Sequence, residues 1–229
     1  MTMKYQLVRI GSGIPGLDGM TQGGLPFPST ILVAGPAGTG KTTLGLQFLA
    51  QGARDGETGL FISTLSESIQ WMLRFTSNLT FLKKEYFGQQ IVYDDFSGLI
   101  KQAKDYRDVL HALEEKLTTL MPQRVVIDSV TVFERFKDDY RDLLYDFSVL
   151  LKDVQATTIL TGEVDPTEPY PVEVAHVVDS VLLLTSSLTT EGGRNRHLEV
   201  LKMRGTNHVT GRHLMAIDRN GITVQVGMG

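Results

Sequence analysis

The stretch GPAGTGKT, residues 35–42, holds the residues whose types and spacing point most directly to chemistry. It satisfies G-x-x-x-x-G-K-[ST] without a mismatch, and glycines at those positions let a backbone close around a chain of phosphates. The N–H groups of Ala37, Gly38, Thr39, Gly40, Lys41, Thr42 and Thr43 are then offered to phosphate oxygens, with the N-terminus of a following helix behind them. Lys41 is placed to reach the β- and γ-phosphates, and the Thr42 hydroxyl suits Mg2+. Further on, Asp128 closes the apolar run VVIDS, residues 125–129. An acid at such a strand end supports a Mg2+ shell, directly or through water.

That chemistry requires a strand before the loop and a helix after it. STILVAG, residues 29–35, is a compact β-branched and leucine run ending in glycine, and it predicts a buried strand. Leu44, Phe48 and Leu49 return at helical spacing after the loop. GLFIST, QIVYDD, RVVIDSV and ATTILTGE predict further strands. Between them, residues 67–77 and the apolar stripes Val109–Leu120 and Leu143–Val154 predict helices, the second closed by Pro122. Strands alternating with helices imply a mostly parallel α/β sheet. The pattern changes after Glu163: VVDSVLLLT and RHLEVLKM flank a Gly192-Gly193 turn, and HLMAID and ITVQV flank RNG. Those pairs predict antiparallel strands extending the sheet. With no low-complexity linker and no internal repeat, residues 1–229 are expected to form one domain.

Bulk composition narrows the partners. The 229 residues are 41% hydrophobic and 21% charged, ordinary for a soluble fold. The absence of cysteine excludes disulfides and thiolate chemistry and fits a reducing compartment, so the expected location is the cytoplasm. MTMKYQLVRI carries no long apolar stretch, so neither a signal peptide nor membrane insertion is expected. A net charge of −4 gives no global attraction to nucleic acid.

The residue that would prepare water for attack is less plainly placed. FISTLSES, residues 61–68, runs from a strand into a turn, where many ATP-splitting enzymes carry a glutamate. Leu65 and Ser66 occupy the strand end, and Glu67 is the nearest acid. Glu67 suits two roles: it can orient water or accept its proton, or it can favour the first turn of the next helix through the dipole.

Together these pieces resemble the KaiC-like branch of the RecA superfamily. The resemblance rests on GSGIPGLDGMTQGGLP, GPAGTGKTTLGLQFLAQGARDGE, RVVIDSVT, ATTILTGE and LEVLKMRGTNHVTGRH, in family order along nearly the whole chain. It implies a RecA-like α/β fold: a mostly parallel central sheet, helices on both faces and C-terminal antiparallel strands. It also implies ATP with Mg2+, and homo-oligomeric rings, commonly hexamers, with the nucleotide between subunits. The loop and acids then come from one subunit. Lys202, Arg204 and His208 come from its neighbour, with Met203 and Thr206 on the sugar and base side. Lys202 and Arg204, two apart on an expected strand, point the same way. Arg204 would then stabilise charge on the transferred phosphoryl group. The residues alone also permit two solvated charges on an edge strand.

Some positions depart from the family pattern. Where the clock-type members carry a phosphorylated Ser-Thr pair, this chain has Ala175 and His176, so autophosphorylation there is not expected. Asp218 and Arg219 stand where a Thr-Asp pair helps bind base or ribose. The adjacent glutamate pair at the strand end is incomplete; one inserted residue aligns Ser66-Glu67-Ser68 with it, leaving one carboxylate. The implied activity is therefore slow ATP hydrolysis in a regulatory assembly that recruits a protein partner. The alternatives are an ATP-dependent oligomerisation switch without hydrolysis, and an accessory to DNA repair like the RadA paralogues. The last ranks lowest. Of the two loops such recombinases turn to the ring axis, residues 131–138 set Arg135 and Lys137 against Glu134 and Asp138, and residues 164–173 carry Asp165, Glu168 and Glu173 without a base. Acids there oppose a phosphate backbone.

Overall fold

The computed structural model describes residues 7–164, 170–190 and 192–227. In chain order the elements are β1 (Val8–Ile10), α1 (Leu17–Met20), β2 (Leu25–Phe27), β3 (Ser29–Gly35), α2 (Lys41–Asp55), β4 (Gly59–Ser63) and α3 (Ile69–Phe75). Then come β5 (Ile91–Asp95), α4 (Ser97–Gln102), α5 (Tyr106–Leu120), β6 (Arg124–Asp128), α6 (Tyr140–Asp153), β7 (Thr157–Glu163) and α7 (Val172–Val177). Four strands close the chain: β8 (Ser180–Leu188), β9 (Arg194–Met203), β10 (Arg212–Asp218) and β11 (Gly221–Gln225).

Nine of the strands form one sheet in the order β11-β10-β9-β8-β3-β7-β6-β4-β5. From β8 to β5 every pairing is parallel, and β9, β10 and β11 add to the β8 edge antiparallel. The expected α/β sheet with antiparallel C-terminal strands is thus present. Every residue of β3 is buried, because it is covered on both faces. Its side chains alternate accordingly: Ile31 and Val33 join the cluster under α2, and Leu32 and Ala34 join the cluster under α5 and α6.

Several boundaries differ from the sequence expectation. The helix expected over 67–77 is shorter, because the Ser68 hydroxyl caps it by accepting from the Trp71 N–H. Asp105 caps α5 in the same manner, so that helix starts at Tyr106. The strand expected from Val177 starts at Ser180, and α7 precedes it. Residues 130–139 form two 310 turns. The ribbon of β1 and β2 was not foreseen; three-residue strands among glycines leave no periodic signal. Asp165 and Glu168, expected on an acidic loop, lie outside the described residues. Among the described residues no helix is long and apolar enough to cross a membrane.

One buried cation fastens the edge of this frame. Arg124, 1% exposed, starts β6 and lies over the Phe48 ring of α2 at 4.6 Å. It donates to the carbonyls of Gly11 and Phe48 and pairs with the Glu57 carboxylate. The loop after α2 and the N-terminal segment are thereby held against the start of β6.

Candidate functional site

The glycine-rich loop leaves β3 at Gly35 and enters α2 at Lys41. Gly40 is the N-cap, at φ 107 and without a side-chain cap. Its backbone angle favours glycine, and a Cβ there would lie 2.5 Å from Ile217 Cδ1, whose methyl would have to shift. The first N–H of α2 with a helical acceptor is that of Leu44, on the Gly40 carbonyl. The N–H groups of Lys41, Thr42 and Thr43 precede it, so the helix dipole and free donors meet at the loop. Thr39 is 1% exposed and spends its hydroxyl on the Pro36 carbonyl at 2.8 Å, fixing the loop from within.

Lys41 is 6% exposed, and its ammonium is surrounded by acceptors. Nζ lies 2.7 Å from the Gly35 carbonyl, 3.1 Å from that of Pro36 and 2.8 Å from Glu163 Oε1. Glu163 ends β7 directly beside Gly35 in the parallel register. The next strand end, that of β6, supplies Asp128. The Thr42 hydroxyl donates to Asp128 Oδ2 at 2.6 Å, and the Thr161 hydroxyl donates to Oδ1. The Asp128 carbonyl accepts from the Thr64 N–H at 2.8 Å, tying the ends of β6 and β4 together. Thr42 and Asp128 therefore present two adjacent hard oxygens, a donor set that fits Mg2+. Among the described residues no three acids or histidines are close enough together to hold a metal ion by themselves. A divalent ion here would draw its remaining ligands from phosphate and water.

Ala37, Gly38, Gly40, Lys41, Thr42, Thr43, Asp128 and Glu67 line one cavity of about 430 Å³. Glu67 reaches it through a turn in which Ser66 takes φ 59 and the Tyr93 hydroxyl donates to the Glu67 carbonyl. Among the described residues the Glu67 carboxylate makes no hydrogen bond or ion pair. Burial, and then the nearby Asp128 charge, raise its pKa above the ordinary glutamate value. Leu65 is 60% exposed on the same rim.

Sequence reasoning missed two charged residues of this cavity, Glu163 and Arg196. Arg196 lies on β9 opposite Ser186 of β8. Leu198 and Val200 point into the core beneath α2, and Arg196, two residues earlier, points the same way. It lies past the end of β3, where the loop takes the place of the core. That alternation is the signal that could have found it. Among the described residues its guanidinium has no hydrogen bond or ion pair.

The basic segment at the end of β9 lies elsewhere. Lys202 pairs across the sheet with Val181, which pairs with Leu32, towards the start of β3. None of Lys202, Met203, Arg204, Thr206 and His208 lines the cavity of its own chain. Lys202 Nζ donates to the carbonyls of Ala175 and Val178 at the end of α7. Burial, and then Arg204, lower its pKa. Lys202 is in β9, whereas Arg204 is one residue beyond it in a turn, paired with Asp179 at 3.2 Å. The two therefore do not share a strand as expected. Met203 is 5% exposed, with its side chain packed in the core. The Thr206 hydroxyl accepts from Arg9 at 2.9 Å, and His208 Nδ1 is 3.4 Å from the Val209 carbonyl. Asp218 caps its own turn by accepting from the Asn220 N–H at 2.6 Å, and Arg219 offers its carbonyl to Thr80.

Comparison with known proteins gives a consistent result. Residues 10–227 match the family "ATPase: KaiC". A UPF0273 protein of Thermotoga maritima is 30% identical over 96% of this chain and 97% of its own length. The circadian clock oscillator protein KaiC of Prochlorococcus marinus is 32% identical over 96% of this chain, which spans 46% of that protein. A KaiC-like protein from the archaeon Pyrococcus horikoshii OT3 superposes with a TM-score of 0.85 at 28% identity, covering 96% of this chain and all of that one.

Proposed function

The chain belongs to the KaiC ATPase family, and from that premise we propose that it binds and slowly hydrolyses Mg-ATP at subunit interfaces of a homo-oligomeric ring. The observation that carries this reading is the convergence of Lys41, the Thr42–Asp128 pair and Glu67 on one cavity. The loop N–H groups and Lys41 bind the phosphates. Thr42 and Asp128 hold Mg2+, which when bound offsets charge on the phosphate oxygens. Glu67 orients the attacking water and takes its proton; its raised pKa makes it a stronger base than an exposed glutamate. Arg196 adds a cation from the same chain. Arg204, Lys202, Thr206 and His208 lie away from their own cavity and act on the nucleotide of a neighbouring copy. A single carboxylate in place of a pair keeps the rate low.

A second reading is a switch in which ATP joins subunits without turnover. The strand end favours it, since Leu65 and Ser66 stand where an adjacent pair of acids is expected. In either form the assembly acts by recruiting a protein partner. A DNA-directed role ranks below both, because Arg135 of the loop facing a ring axis is engaged with the Ile100 carbonyl and its own neighbour Phe136. Size-exclusion chromatography with light scattering, with and without Mg-ATP, decides between the readings when phosphate release is measured on the same samples. Assembly with turnover supports the first; assembly without turnover supports the switch.

A further inference from the structure

Glu163 is the one acid of the cavity in direct contact with the phosphate-binding lysine. Its Oε1 lies 2.8 Å from Lys41 Nζ, and its position is fixed by the register that sets Glu163 beside Gly35. Lys41 is 6% exposed while Glu163 is 49% exposed, so the lysine is enclosed and the carboxylate is the partner with room to leave. The two carbonyls on Lys41, from Gly35 and Pro36, belong to the loop itself. They can stay when a phosphate arrives, and a carboxylate beside a phosphate repels it. The α- and β-phosphates have the loop N–H groups and the α2 N-terminus as donors. Lys41 reaches both the β- and γ-phosphates, but the β-phosphate has the loop N–H groups besides, whereas the γ-phosphate lies beyond them and leans on Lys41 more heavily.

We propose that Glu163 discriminates the γ-phosphate: a triphosphate displaces its carboxylate from Lys41, and a diphosphate leaves the pair in place. The inference rests on the loop binding ATP, as proposed above. Glu163 is then a positioning and specificity-determining residue. It lowers triphosphate affinity by the free energy of the broken ion pair while leaving diphosphate affinity nearly untouched.

The test is calorimetric titration of the full chain with the magnesium complexes of a non-hydrolysable ATP analogue and of ADP, for wild type and Glu163→Gln. The variant is isosteric and removes only the charge; Glu163→Ala serves as a second variant with the same expected direction. The expected result is analogue binding about fivefold tighter, the range of a partly exposed ion pair, with ADP affinity changed by less than about twofold. An unchanged or lowered analogue affinity would overturn the inference, as would an equal shift for both nucleotides, which a structural role for Glu163 would give. If wild type binds neither nucleotide, the nucleotide-binding reading itself fails. If wild type binds both and their ratio does not move in either variant, only the role of Glu163 fails.

Discussion

The Thr42 hydroxyl donates to Asp128 Oδ2 across 2.6 Å, joining the first turn of α2 to the end of a strand two places along the sheet from β3. This contact brings together two oxygens that sequence reasoning had separately assigned to a metal. Thr42→Val and Asp128→Asn are each expected to abolish the Mg2+ dependence of ATP binding while leaving the far-ultraviolet circular dichroism unchanged. Titration of a fluorescent ATP analogue with and without Mg2+ measures this. Retention of the full Mg2+ effect in either variant would remove that residue from the metal site.

Glu67 gives a pH prediction. Its pKa is raised by burial and by Asp128, so the base form is lost at a higher pH than for free glutamate. Phosphate release should therefore fall as pH drops through that raised value. Glu67→Gln should lower turnover by about 100-fold, the lower range for loss of a general base, and the residual rate should lack the acid limb. ATP affinity should stay within about twofold, since a base contributes little to ground-state binding.

The separation of Arg204 from its own cavity yields a mixing experiment. Lys41→Ala lacks a working loop, and Arg204→Ala lacks the cation proposed to act on a neighbour. Each alone is expected to be inactive in phosphate release. When the two are mixed and allowed to reassemble, some interfaces regain an intact Lys41 facing an intact Arg204, and activity should return to a fraction of wild type. If no activity returns although exchange is seen by light scattering, Arg204 does not act in trans.

Arg124 tests the frame rather than the chemistry. It is buried against Phe48 and paired with Glu57 and Asp55, the latter at 3.6 Å. Arg124→Ala leaves the carboxylates without their cation and opens a cavity, and should lower unfolding free energy by about 3 kcal/mol. Urea unfolding followed by circular dichroism measures it. A loss below about 1 kcal/mol would show that the loop after α2 is held by other contacts.

The buried strands were legible because continuous apolar runs mark them: STILVAG predicted β3 residue for residue. Lys41, Thr42 and Asp128 were legible because their motif and strand context are local. Glu67 was named in sequence but left between two roles, and only its entry into the cavity favours the chemical one. Glu163 and Arg196 were missed for a different reason. Each reaches the cavity across the sheet through a pairing register; strand alternation gives the face to which Arg196 turns, but not the strands beside it. The burial of Met203 was likewise not legible, because the segment around it was carried over from the resemblance as a unit. The β1–β2 ribbon and α7 are too short for periodicity to show.

The central claim is that Mg-ATP is bound and hydrolysed at the loop that carries Lys41. Phosphate release from Mg-ATP by purified wild type and Lys41→Ala tests it most directly. Slow release by wild type, dependent on Mg2+ and lost in the variant, is the predicted result. No release by wild type, or equal release by both proteins, would contradict it.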